Sequence, residues 1–130
     1  MLLDEKLLSG VIMEAKSSDR LRKNYCLHDS LDSQVQRMFN AMEPGTIVPI
    51  QRHPNVAETI IMVKGSMKIF IYDNEKNVIE KHVLCHENGI YGYHIPCGVW
   101  HSVEVLESGT VMFEVKEGPY APLAKEDILY

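Results

Sequence analysis

The stretch GTIVPIQRHPNVAETIIMVKG (45–65) carries Gln51, His53 and Glu58, and IPCGVWHSVEV (95–105) carries His101. Side chains two apart on a strand share a face, so Gln51 and His53 point the same way. The segment PNVA contains Pro and Asn, which favour a turn, and returns Glu58 at the start of the next strand. Ile60 and Met62 share its face, which places Glu58 at the rim of an apolar barrel interior. Pro96 and Gly98 set a tight turn, after which His101 shares a face with Val103 and Val105. Two imidazoles and a carboxylate converging from separate segments match the facial arrangement that holds iron(II) and similar divalent ions, with positions left open for substrate. An ion held this way polarises a carbonyl or hydroxyl. The Gln51 amide oxygen is neutral and a weaker ligand than imidazole. It serves either as a fourth metal contact or as a hydrogen-bond partner of a bound water.

Other groups could complete such a site. Glu114 and Lys116 alternate onto one face of TVMFEVK, with Val111, Phe113 and Val115 on the other. They are either the polar face of a half-exposed strand or an acid-base pair and substrate anchor in the cavity. His94 precedes the Pro96 turn and either faces the pocket or is exposed. With Tyr93 and Glu114 it makes up the candidates for moving a proton. Arg20, Arg22, Asn24 and His28 lie in a polar connector, where the planar Arg fork suits carboxylate or phosphate. The cluster HVLCH (82–86) lacks a fourth ligand and reads as surface. Cys97 reads as a packed turn residue. Tyr91, Tyr93, Trp100 and Tyr120 read as core aromatics first and pocket walls second.

The elements that must position these residues are mostly strands. Residues 3 to 16 repeat apolar side chains near a 3.6-residue period, which predicts an amphipathic helix, ended by SSDR. SQVQRMFNAM (33–42) fits either period, and the EPG turn after it favours a strand. From residue 46 onward, short β-branched and aromatic runs (ETIIMV, SMKIFIY, NVIEKHVL, IYGYHI, HSVEVLE, TVMFEVK) are separated by turn residues, as in a sandwich or barrel. DNEK between two of them reads as a hairpin loop. The tail EGPYAPLAKEDILY is expected to wrap the barrel without joining the sheet.

At 130 residues the chain is one structural domain with a self-sufficient core, divided here into a helix (1–19) and a β domain (20–130). A net charge of −5 argues against a nucleic-acid partner, since phosphate binding needs surplus Lys and Arg. Charges interrupt the apolar N-terminus after three residues, so neither a signal peptide nor a membrane partner is expected. Three cysteines without a C-x-x-C pair favour reduced thiols and a cytoplasmic location.

Gly45-x5-Gln51-x-His53-x4-Glu58-x6-Gly65, together with Pro96-x-Gly98-x-x-His101, resembles the two motifs of the cupin superfamily. RLRKNYCLHDSLDSQVQRM (20–38) and FEVKEGPYAP (113–122) extend the likeness to WbuC-type cupin metalloproteins, bacterial proteins often associated with surface-polysaccharide gene clusters. The resemblance implies a jelly-roll β-sandwich, a divalent metal (zinc, iron, manganese or nickel) held by His53, Glu58 and His101 with Gln51, and a homodimer. It also implies a small-molecule ligand such as a sugar or sugar nucleotide, anchored by Arg20, Arg22, Asn24, His28 and Lys116. No single reaction follows, because cupins include dioxygenases, isomerases, epimerases and non-catalytic binders. A metal-independent epimerase and a binding module therefore stand beside the metalloenzyme reading. Two positions depart from the pattern: Gln51 replaces a His, and Val105 replaces an Asn.

Overall fold

The computed structural model describes residues 1–129. Helix α1 spans Glu5–Ser17, and the Asp4 side chain caps it by accepting the Leu7 N–H at 3.1 Å. This cap starts the helix later than the apolar period suggested and leaves Leu3 outside it and half exposed. Ten strands follow: β1 (Arg22–Cys26), β2 (Val35–Met42), β3 (Ile50–Gln51), β4 (Glu58–Lys64), β5 (Ser66–Tyr72), β6 (Val78–Cys85), β7 (Gly92–Ile95), β8 (Trp100–Val105), β9 (Thr110–Glu117) and β10 (Ile128–Leu129).

They form two antiparallel five-stranded sheets, ordered β1-β2-β9-β4-β7 and β10-β3-β8-β5-β6. From β2 to β5 successive strands alternate between the sheets, the crossing pattern of a jelly roll. Gly65 makes the sharpest of these crossings, at φ +77°. A Cβ there would lie 2.2 Å from Thr110 Oγ1 and 2.8 Å from Thr110 Cα, so only glycine fits. Asp73 closes the β5–β6 hairpin at DNEK, its carboxylate accepting the N–H groups of Glu75 and Asn77.

The period-two alternation of β2 and β9 sorts their residues into two environments. Phe39, Ala41, Val111 and Phe113 point outward and are covered by Leu8, Val11, Ile12 and Ala15 of α1. The helix therefore packs on its own barrel. Met42 and Met112 point inward and join Ile60, Met62, Met67, Ile69, Ile71, Leu84, Ile95 and Val105 between the sheets. Burying side chains of this size, each worth about 1.5–3 kcal/mol, is what holds the sheets face to face.

Segment 35–42 is a strand, as favoured. The tail differs from expectation. Residues 118–127 do run over the barrel, but Ile128 and Leu129 then pair with Gln51 and Ile50 and extend the second sheet. The backbone of β3 was otherwise an open edge, and the tail satisfies it.

Candidate metal centre and cleft

His53, Glu58 and His101 converge so that one donor atom from each lies within 4.8 Å of the others. Among the described residues this is the only group of three or more His, Cys, Asp or Glu side chains so placed. His101 Nε2 is 2.9 Å from Glu58 Oε1, and His53 Nε2 is 3.6 Å from the same oxygen. Donors bound to one ion at about 2.1 Å are themselves ~3.0–3.4 Å apart, and these two spacings fall just either side of that range. Glu58 and His101 are buried and His53 is half-buried.

Backbone bonds frame the triad. Gln51 is the cross-strand partner of His101, and Glu58 opens β4. Gly98, in the left-handed region at φ +78°, donates its N–H to the His53 carbonyl at 2.8 Å. Cys97 donates its thiol to the Pro54 carbonyl at 2.8 Å. Cys97 is exposed, not packed as the sequence suggested, because the turn aims it across the two loops.

The donor chemistry fits a cation. His101 Nδ1 faces the Val99 carbonyl at 3.0 Å, so it must carry a hydrogen. Its Nε2 lone pair then points at the Glu58 carboxylate, an arrangement that needs a proton or a metal ion between them. Burial, helped by the charges of Lys116 and His101, lowers the His53 pKa against the pull of Glu58. Burial pushes Glu58 up, but its contacts with His101 and Glu114 and the nearby imidazoles outweigh it and hold its carboxyl below the usual range. Near neutral pH His53 therefore favours the neutral form and Glu58 the ionised form, as metal ligands require.

His53 brings the triad to the edge of a cleft of 730 Å³, which Glu58 and His101 do not line. Glu114 and Lys116 face it from β9, next to Asn40 of β2. Burial and the neighbouring Glu58 push Glu114 up to about 8, against the influence of Lys116 and Asn40. Asn40 Nδ2 donates to Glu114 Oε2 at 2.8 Å, while Asn40 Oδ1 is buried without a partner. Gln51 lines the same cleft. Its side chain makes no hydrogen bond to another described residue, so its amide is free to turn toward an ion or a water.

Arg20, Arg22, Asn24 and His28 all border the cleft on the β1 side. Arg22 Nη1 donates to the Ile47 carbonyl at 2.9 Å and clips the 43–49 loop into the wall. His28 Nδ1 lies 3.2 Å from both the N–H and the carbonyl of Arg37. The far wall is a strap of Tyr120, Ala121, Pro122, Leu123 and Lys125, of which the sequence had offered Tyr120 alone, as a pocket wall in second place. Gly118 and Tyr120 tie it down by donating their N–H groups to Gln34 and Leu31, both at 2.7 Å. Asp127 ties its other end to Arg52, which also stacks on Trp100. Asn40 was missed as well. A polar residue at the inward position between Met38 and Met42 was the available signal.

Two expected proton carriers are elsewhere. His94 pairs with Thr59 on the outer face of β4, exposed, its Nδ1 2.9 Å from Thr59 Oγ1. Tyr93 points inward beside Ile60, but its hydroxyl donates to Glu80 at 3.0 Å, at the seam between β7 and β6. Neither borders the cleft. HVLCH makes no three-residue cluster: His82 contacts Glu80, and His86 Nε2 meets the Met62 carbonyl.

A family profile described as a domain of unknown function, DUF6016, matches residues 3–84. The chain belongs to the DUF6016 family. No curated protein sequence matches this DUF6016 chain. Among solved structures, KdgF from Halomonas sp. is similar, with 13% identity and a TM-score of 0.61 over 77% of this chain and 82% of that one. The cupin domain of Schizosaccharomyces pombe Cnp3 shares 9% identity and a TM-score of 0.59, over 74% of this chain and 64% of that one. A mutant of Bacillus subtilis oxalate decarboxylase shares 20% identity and a TM-score of 0.60 over 77% of this chain. The DUF6016 chain spans only 26% of that enzyme's length. At such identities the likenesses speak to the fold alone, and that fold is the cupin jelly roll.

Proposed function

We propose that this protein is a divalent-metal cupin that binds a small oxygen-bearing molecule in the 730 Å³ cleft. The observation that carries the reading is the placement of His101: its Nδ1 is committed to Val99, so its Nε2 lone pair meets Glu58 at 2.9 Å, with a His53 nitrogen within 4.8 Å in the same cluster. His53, Glu58 and His101 would hold the ion, with Gln51 as a further contact. When bound, the ion supplies Lewis acidity to a ligand carbonyl or hydroxyl. Glu114 is the side chain placed to hold or move a proton next to that ligand, its Oε2 fixed by Asn40. The strap and the β1 rim exclude bulk water and orient the ligand.

The resemblance to WbuC-type cupins supports a sugar or sugar nucleotide as the ligand class and a homodimer as the working form. The oxalate decarboxylase named above shows that this fold can serve a carboxylate-bearing substrate. Elemental analysis tests the reading. Wild-type protein should carry close to one divalent ion per chain, and the His53→Ala, His101→Ala double variant should carry none. A wild type that takes up no zinc, iron, manganese or nickel even after incubation would end the metal reading.

A further inference from the structure

The cleft wall has a charge balance opposite to that of the chain. The protein holds 13 Lys and Arg against 18 Asp and Glu, yet Arg20, Arg22, Lys116 and Lys125 line the cleft against Glu114 alone. Glu58 lies beneath, engaged with the two histidines. Such a concentration of one sign in a low-dielectric recess gathers ligands of the other sign.

Lys116 is the most informative of the four. Its side chain is only 15% exposed, and its nearest acid is Glu114 Oε1 at 3.9 Å, beyond hydrogen-bond reach. No described residue accepts a hydrogen bond from its Nζ. An ammonium in such a recess without a hydrogen-bonded counter-charge is a ready partner for an anion. Its cross-strand partner is Glu58, so the ammonium belongs to the same corner of the cleft as the triad. Across from it, Asn40 is 7% exposed and its Oδ1 has no partner. The Nδ2 of that amide is already committed to Glu114, which leaves Oδ1 as an acceptor that needs a donor from a ligand. The wall thus offers a cation short of an anion and an oxygen short of a hydrogen.

We propose that the cleft binds a hydroxylated oxyanion, of the sugar-acid or sugar-phosphate class, with its anionic group on Lys116 and a hydroxyl donating to Asn40 Oδ1. This names the ligand class for the site proposed above and rests on that cleft being the functional one. Carboxylate and phosphate share the recognition chemistry. Their sources are separated by the probes.

Isothermal titration of purified wild type, with metal content measured on each sample, uses D-gluconate, D-glucose 6-phosphate and D-glucose. At least one of the two anions should bind at least tenfold more tightly than glucose, and whichever does identifies the carboxylate or the phosphate as the source. Lys116→Gln should weaken that anion by about 10- to 100-fold, the ratio for losing one charge-assisted hydrogen bond. Lys116→Arg should retain most of the affinity. Both variants should keep the wild-type unfolding temperature and metal content, which shows that the loss is local. Equal binding of glucose, no binding of either anion, or an unaffected Lys116→Gln variant would overturn the proposal. Wild type without metal but with Lys116-dependent anion binding would overturn the metal reading and leave this one standing.

Discussion

The two ends of the space between the sheets are built from the same strands, yet one is a plug and the other a cleft. Cross-strand partners on β4 and β9 trace the change in steps of two residues: Met62 faces Met112, Ile60 faces Glu114, and Glu58 faces Lys116. The backbone pairing is the same in kind at each step, and only the inward side chains differ. Fold and chemistry are therefore written along one pair of strands. The apolar steps hold the sheets together, and the charged step puts Lys116 on the cleft wall beside Glu58.

The contrast can be broken first at the plug. Met67 is fully buried, so Met67→Ala should destabilise the protein by about 2–5 kcal/mol, read as a lower urea midpoint, while metal stoichiometry stays at the wild-type value. A loss of metal in the folded variant would show that the two ends are not separable.

At the cleft end the contrast sharpens with pH. The folded-state pKa of Glu114 is raised from 4.5 to about 8. Between these values the unfolded chain has released the proton that the folded chain still holds, so the metal-free protein loses stability as pH rises through that window. Glu114→Gln should flatten this fall, and the variant should gain most over wild type near pH 8. Urea denaturation of metal-stripped samples at pH 5, 6.5 and 8 measures it. An unchanged slope would mean that Glu114 ionises normally in the folded state.

The smallest effect belongs to neither end. Asp4→Ala removes the α1 cap and should cost about 1 kcal/mol, seen as a lower unfolding temperature. The helix covers only the outer face of the first sheet, so metal and anion binding should not change.

The triad was legible because period-two alternation and turn residues were enough to aim His53, Glu58 and His101 at one point. The same logic left His94 open between the pocket and the surface. Its strand is short, and the register that pairs it with Thr59 puts it on the outer face, a one-residue matter that flips every side chain. Tyr93 had the right face, but Glu80 comes from β6 of the opposite sheet, and no local pattern announces that partner. Asn40 was hidden by the ambiguity of SQVQRMFNAM, since without a settled period no face can be assigned. The strap has no period at all, and only the tertiary structure reveals that Leu123 and Lys125 border the cleft.

The backbone stitch from Gly98 to His53 and the thiol contact from Cys97 to Pro54 join the two ligand-bearing loops through the protein's own hydrogen bonds. An ion bound between them would join loops that the chain already ties together, with less chain entropy to lose than if it had to tie them itself. Of the ions such a site would accept, the supply of metal, more than the protein's own folding, would decide which one it carried.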